Sequence, residues 1–231
     1  MALDPNFKVD SALNQVLVLD CDEVLVNISP KWCKLIAENW EKKFSRFLHN
    51  PVGLPDSSIF ARNIYYLNEW LQYENRIPSQ EMMSDFLDLY RSSDFYDDLS
   101  ITNFGKAVKF LLPTNFIQKV YIITHTIPET YESKRKFLVS NFNSNKVECL
   151  FINHNKPKHE VIIEEKIKFN LIADDRIDIL FNILKYTKCK NKQFMIPKMG
   201  YNDLNNFKFK DEFNELALEK NVILGYYEKI T

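Results

Sequence analysis

The chain is poor in the features that mark secreted, membrane or zinc-binding proteins. Its four cysteines are Cys21, Cys33, Cys149 and Cys189, and no two of them form a Cys-x-x-Cys pair. This spacing argues against a zinc site or a disulfide framework; reduced thiols in a cytoplasmic protein are the expectation. No apolar run is long enough to span a bilayer. Residues 1–7 lack the basic start and apolar core of a targeting segment and read as a disordered end or an expression remnant. Basic and acidic residues nearly balance, for a net charge of −1, so nothing supports general nucleic-acid or membrane-surface binding. Glycine is scarce while lysine and asparagine are frequent, a pattern we attribute to coding bias. There is no internal repeat and no low-complexity tract. The length and an apolar fraction of 45% suit one large domain, or a domain carrying a smaller insertion.

What is present begins at Val16-Leu17-Val18-Leu19, a short apolar run that stops at Asp20-Cys21-Asp22. Such a run reads as a buried strand whose carboxyl end is a site. Strand alternation would put Asp20 and Asp22 on one side and Cys21 on the other, packed against a helix. Two adjacent carboxylates repel, and a divalent cation or a metal-bound phosphate would relieve them.

Beyond this strand, residues 29–102 carry helical spacing and no alternating strand. Pro30 suits a first turn ahead of Trp32, Leu35 and Ile36; residues 50–56 form a loop; 59–73 is an aromatic helix; and Pro78-Ser79-Gln80-Glu81 starts another. An α/β pattern then resumes. Helices are expected over 104–112, 129–142, 159–165, 177–186 and 211–220, and strands over 120–123, 147–152, 169–173 and 194–196. Alternating strands and helices predict a Rossmann-like α/β core, with a parallel sheet and helices on both faces.

Parallel strands deliver their carboxyl ends to one edge. The first gives Asp20 and Asp22, the second Thr124 and His125. The third is followed by Lys156 and Lys158, and the fourth ends at Asp174-Asp175. Together these supply a nucleophile, an acid/base, a hydroxyl, a cation and an acidic pair, the set needed for phosphoryl transfer through an aspartyl-phosphate. Each motif alone has an ordinary structural explanation: an Asp pair caps turns, a Thr caps helices and loop lysines are solvated. Their order is what carries the argument.

In that order they resemble the motifs of the haloacid dehalogenase superfamily of phosphatases. The matching segments are residues 17–25, Ile122-Ile123-Thr124, Lys158 or Lys156, and Leu171-Ile172-Ala173-Asp174-Asp175. The resemblance implies that Asp20 is the nucleophile and Asp22 the general acid/base, with the backbone carbonyl of Asp22 on magnesium. It implies that Thr124 binds the phosphoryl group, that Lys158 neutralises charge, and that Asp174 and Asp175 hold magnesium. Lys158 is preferred to Lys156 because it stands at a helix start. It further implies a core of residues 1–28 and 103–231 with an inserted helical cap of the C1 type at 29–102. The 5'(3')-deoxyribonucleotidase group is the nearest look, through Ile172-Ala173-Asp174-Asp175-Arg176 and a Tyr201-Asn202 pair. A small phosphate ester, a nucleoside or deoxynucleoside monophosphate first, is the implied substrate. Cap aromatics such as Trp40, Phe44, Tyr66, Trp70 and Tyr73 are core by default, while Trp32 and Tyr65 are candidates to stack on a base.

Two positions depart from the nucleotidase pattern. Glu23 stands where glycine is usual, and His125 follows Thr124 where a small residue or proline is usual. They motivate a second reading, a binding or scaffold protein without turnover. A third is an end phosphatase on nucleic acid, against which the near-neutral charge weighs.

Overall fold

The structure, a computed structural model, describes residues 13–39, 80–199 and 202–228. The expected loop at 50–56, the aromatic helix at 59–73 with Tyr65, and Tyr201 lie outside the described residues.

Six strands form one all-parallel sheet: β1 Gln15–Leu19, β2 Ile117–His125, β3 Val147–Ile152, β4 Leu171–Ala173, β5 Gln193–Lys198 and β6 Ile223–Glu228, in the order β3-β2-β1-β4-β5-β6. This is the expected Rossmann-like α/β class. The sixth strand is an addition to the sequence-based expectation, which ended at the last helix. β1 lies between β2 and β4, so the chain winds outward on one side of β1 and then on the other. In open α/β sheets a ligand crevice forms at such a reversal, beyond the carboxyl ends of the strands.

Among the described residues the α-helices are α1 Ser29–Asn39, α2 Gln80–Tyr90, α3 Asn103–Leu111, α4 Tyr131–Asn141, α5 Lys158–Glu164, α6 Ile177–Tyr186 and α7 Lys210–Glu219. Strand alternation sorts the core into two layers. Val18, Ile123, Ile172 and Phe194 pack on α5, α6 and α7 through Val161, Ile162, Leu180, Leu184 and Phe213. Leu17, Leu19, Val120, Ile122 and Ala173 face α3 and α4 through Val108, Phe137 and Leu138. Cys21 belongs to this second layer and is fully buried, as expected of a packed thiol. Among the described residues no helix is long and apolar enough to cross a membrane.

A tight turn follows β1. The carbonyl of Cys21 accepts from the amides of Leu25 and Val26, and the amide of Glu23 donates to Val26. The two connections of the 29–102 segment run together at its base, where Val26 and Ile101 form an antiparallel bridge and Asn27 donates to the carbonyl of Ser100. Thr102 ties the exit to the turn. Its hydroxyl donates to the Val24 carbonyl at 2.5 Å and accepts from the Gly105 amide, capping α3.

Gly105 is required there by proximity. A Cβ on it would stand 2.6 Å from the carbonyl oxygen of Leu25. Ala gains up to about 1 kcal/mol over Gly in a helix interior, but a clash with backbone costs typically about 1–3 kcal/mol, so the clash wins. Gly105→Ala is expected to lower stability by about 1–2 kcal/mol in urea unfolding and to shift the turn that carries Asp22.

Candidate active site

The carboxyl end of β1 hands directly to the site. The Asp20 amide donates to the Ala173 carbonyl of β4, which seats Asp20 beside the end of the neighbouring strand. Its Oδ1 accepts from the Cys21 amide at 2.7 Å and lies 2.9 Å from Lys158 Nζ. Lys158, the first residue of α5, also donates to Asp174 Oδ2 at 2.7 Å. It is 4% exposed, and Asp174 is 1% exposed. One buried ammonium therefore bridges two buried carboxylates that are far apart in the chain. The amide of Arg176 donates to Asp174 Oδ1 at 3.0 Å, which orients the second oxygen toward the lysine.

Asp20, Asp174 and Asp175 each offer a carboxylate oxygen, all within 4.8 Å of one another. Three carboxylates against one ammonium leave negative charge to balance, and the donors are all hard oxygens, a set that fits magnesium. Asp175 is held through its backbone: buried Asn202 donates Nδ2 to its carbonyl at 3.0 Å and to that of Pro197 at 2.6 Å, while Asn202 Oδ1 accepts from the Met199 amide.

The electrostatics follow from this packing. Burial opposes ionisation of Asp20, yet Lys158 and then Lys134 prevail and hold its carboxyl below the ordinary value. At Asp174 burial dominates, and with the charge of Asp20 it outweighs Lys158, pushing the carboxyl up to about 6. One lysine shared by two carboxylates cannot hold both low, and the more deeply buried one yields. A proton on Asp174 competes with a cation for the same oxygen. Any divalent cation held by these oxygens is therefore expected to bind more weakly below about pH 6, by about tenfold per pH unit, and with a level affinity above it, measured by titration calorimetry from about pH 5 to about pH 8. The same raised value contributes stability to the cation-free protein below the ordinary carboxyl pKa, and this is lost as pH rises through about 6.

Asp22 takes different partners. Its Oδ1 accepts from the Tyr96 hydroxyl at 2.9 Å and its Oδ2 from Lys134 Nζ at 2.9 Å, while a fifth of its side chain, 21%, is exposed. Asp22 stands in the turn that follows the end of β1 at Leu19, where Lys134 of α4 reaches it. Thr124 is buried at the end of β2, its Oγ1 3.4 Å from the His125 carbonyl.

His125, the last residue of β2, lies next to Thr124 and close enough to Lys158 and Asp20 to feel their charges. Its Nε2 lies 3.1 Å from the Lys156 carbonyl, so the ring braces the loop ahead of α5, and burial with the nearby Lys158 charge lowers its pKa. The ammonium of Lys156, the other lysine candidate, is on the surface and paired with Glu164, the last residue of α5. The intervening Pro157, at the N-cap of α5, separates the outward Lys156 from the inward Lys158. Arg176 forms a two-pronged pair with Asp178, at 3.1 and 2.6 Å. Trp32, on α1, is half-buried, its ring 6.3 Å from that of Tyr90.

No family model and no curated protein matches the chain in sequence. Solved structures match in shape. A conserved haloacid dehalogenase-like protein of unknown function from Agrobacterium tumefaciens aligns with a TM-score of 0.54 at 13% identity, over 91% of this chain and 92% of its own. A family hydrolase from Deinococcus radiodurans, with bound phosphate and sodium, aligns at 0.54 and 10% identity, over 93% and 92%. A haloacid dehalogenase-like hydrolase from Bacteroides fragilis gives 0.53 at 15% identity, over 93% and 95%.

The fold is that of haloacid dehalogenase-like hydrolases.

Within this haloacid dehalogenase-like fold, Glu23 has a structural explanation. Its backbone is left-handed, with φ of 61°, a conformation glycine adopts without penalty. Glu23 accepts that strain, of order 1–3 kcal/mol, and its buried carboxylate accepts from both the amide and the hydroxyl of Ser29, the first residue of α1. An anion there takes up the first amide of α1, one that has no partner within the helix. Sequence reasoning missed Lys134 and Tyr96. Lys134 sits three and four residues before Phe137 and Leu138, in the buried stripe of α4. That periodicity was the available signal, masked by the adjacent Arg135 and Lys136.

Proposed function

We propose that the chain is a magnesium-dependent phosphomonoesterase acting through an aspartyl-phosphate on Asp20. The observation that supports this best is the Lys158 ammonium set between Asp20 and Asp174 inside the three-carboxylate group.

Asp20, kept anionic by Lys158 and Lys134, attacks phosphorus, and the ester P–O bond breaks. Asp22 acts as the general acid that delivers a proton to the departing alkoxide. It then takes one from the water that attacks the acyl phosphate, releasing inorganic phosphate and free Asp20. Lys158 and the Thr124 hydroxyl balance charge on the phosphoryl oxygens. Asp20, Asp174 and Asp175, with the backbone carbonyl of Asp22, would hold magnesium, which when bound neutralises charge on the nucleophile and the phosphoryl group.

The segment 29–102 acts as a C1-type cap over this edge in our reading. A small phosphorylated metabolite is the substrate, with nucleoside and deoxynucleoside monophosphates first because the insertion is rich in rings able to stack on a base. The phosphate bound in the Deinococcus structure is consistent with a phosphate ester as substrate here. Free thiols at Cys21, Cys149 and Cys189 suit a cytoplasmic setting. Glu23 and His125, the departures that favoured a protein without turnover, are both accounted for by structural partners.

The test is phosphate release from a panel of phosphorylated metabolites and p-nitrophenyl phosphate, with magnesium or with chelator. Magnesium-dependent release, strongest for nucleoside monophosphates, is expected. Absence of release from every ester with magnesium present would remove the enzyme reading.

A further inference from the structure

Lys134 is a fully buried charged side chain that the four strand-end motifs leave unexplained. It is 0% exposed, yet it is an ammonium, and burial of an unpaired charge costs several kcal/mol. Its partners show how that cost is met. Nζ donates to Asp22 Oδ2 at 2.9 Å and to the His125 carbonyl at 2.8 Å, and it sits 5.2 Å from the centre of the Tyr96 ring. The three groups come from three places: the turn after β1, the end of β2, and the segment leading from α2 back to the core.

Tyr96 completes the arrangement from the other side, donating to Asp22 Oδ1. Tyr96 is itself fully buried, packed between Phe95 at 5.4 Å and Phe137 at 6.4 Å, so its hydroxyl has little freedom. The Tyr90 hydroxyl, on the last residue of α2, lies 3.0 Å from that of Tyr96. Each Asp22 oxygen thus has one fixed donor and keeps a second lone pair for a reacting group.

Resting on the phosphatase reading, we infer that Lys134 and Tyr96 are positioning residues that hold both oxygens of Asp22 in one orientation for proton transfer, with Tyr90 bracing Tyr96 from the end of α2. Neither needs to touch the substrate. Both act through Asp22, and the chain Tyr90–Tyr96–Asp22 makes the orientation of that carboxylate depend on the seating of α2.

The leaving group supplies the readout. An alkyl phosphate needs its alkoxide protonated as the bond breaks, whereas p-nitrophenolate leaves with little help. Tyr96→Phe keeps the ring and removes only the hydroxyl. It should lower kcat/KM on an alkyl phosphate about tenfold and change kcat/KM on p-nitrophenyl phosphate much less, because kcat/KM reports the steps up to leaving-group departure and omits the acyl-phosphate hydrolysis common to both esters. Lys134→Met should show the same selectivity with a loss of about a hundredfold, and Tyr90→Phe a smaller loss of the same kind. Equal losses on both esters, or no loss in Tyr96→Phe, would overturn the inference. A second measurement needs no turnover: thermal unfolding of Tyr96→Phe, Asp22→Asn and the double variant. The clamp predicts that the double variant loses clearly less than the two single losses added together; additive losses would overturn it. If no ester is hydrolysed by the wild type, the phosphatase reading falls and this cycle still decides the clamp.

Discussion

Asp20→Asn is expected to reduce phosphate-ester turnover by about four orders of magnitude or more while leaving the fold intact. Asn has the size of Asp and retains an oxygen for the Cys21 amide and for Lys158, both of which contact Oδ1 of Asp20. It lacks the negative charge that attacks phosphorus and that a cation would balance. Stability should change little, because Lys158 keeps Asp174 as its ionic partner, while magnesium affinity should fall with the loss of one of three carboxylates. Phosphate release and thermal unfolding measured on the same preparation separate these effects. Turnover within about tenfold of wild type would remove Asp20 as the nucleophile.

Lys158→Met is expected to be the most destabilising of the site variants, by about 3–5 kcal/mol near neutral pH. Without the ammonium, Asp20 and Asp174 face each other in buried surroundings with no cation between them. Asp20 should then lose its largest lowering influence and rise, and Asp174, already above the ordinary value, should rise further. A carboxyl raised by folding adds stability only below its unfolded pKa and loses that contribution as pH rises through the folded value. The variant should therefore be closest to wild type in acid, at about pH 4–5, and weakest above about pH 7. Magnesium should restore part of the loss, since it replaces the missing positive charge. Urea unfolding across pH, with and without magnesium, checks this. A loss below about 1 kcal/mol with no pH dependence would show that the buried pair contributes as little as a surface one.

The sheet was legible because its signals are local. An apolar run ending at carboxylates marks β1, and similar runs mark β2 to β4. Residues 222–227 are also apolar and aromatic, yet β6 went unread. It is an edge strand with Ile223 and Tyr226 exposed and Gly225 in its centre, so neither alternation nor a fully apolar run stands out. Gly225 faces Met195 of β5 at contact distance, a constraint that only the paired strand reveals.

The site divided in the same way. Asp20, Thr124, Lys158, Asp174 and Asp175 stand at strand or helix ends, where position in the pattern suggests a place in the fold. The choice between Lys156 and Lys158 was open to argument because a helix start fixes direction, and α5 begins at Lys158. Lys134 had no such marker. It pairs with Asp22 across 112 residues of sequence, and only the burial of one face of α4 distinguishes it from its basic neighbours.

The most direct measurement is acid quenching of the enzyme during turnover with magnesium, followed by peptide mapping of bound phosphate. The account predicts a phosphoryl group on Asp20, lost with chelator and missing from Asp20→Asn. Phosphate mapped to another side chain, or sustained turnover with no phosphate on Asp20 at any quench time, would contradict it.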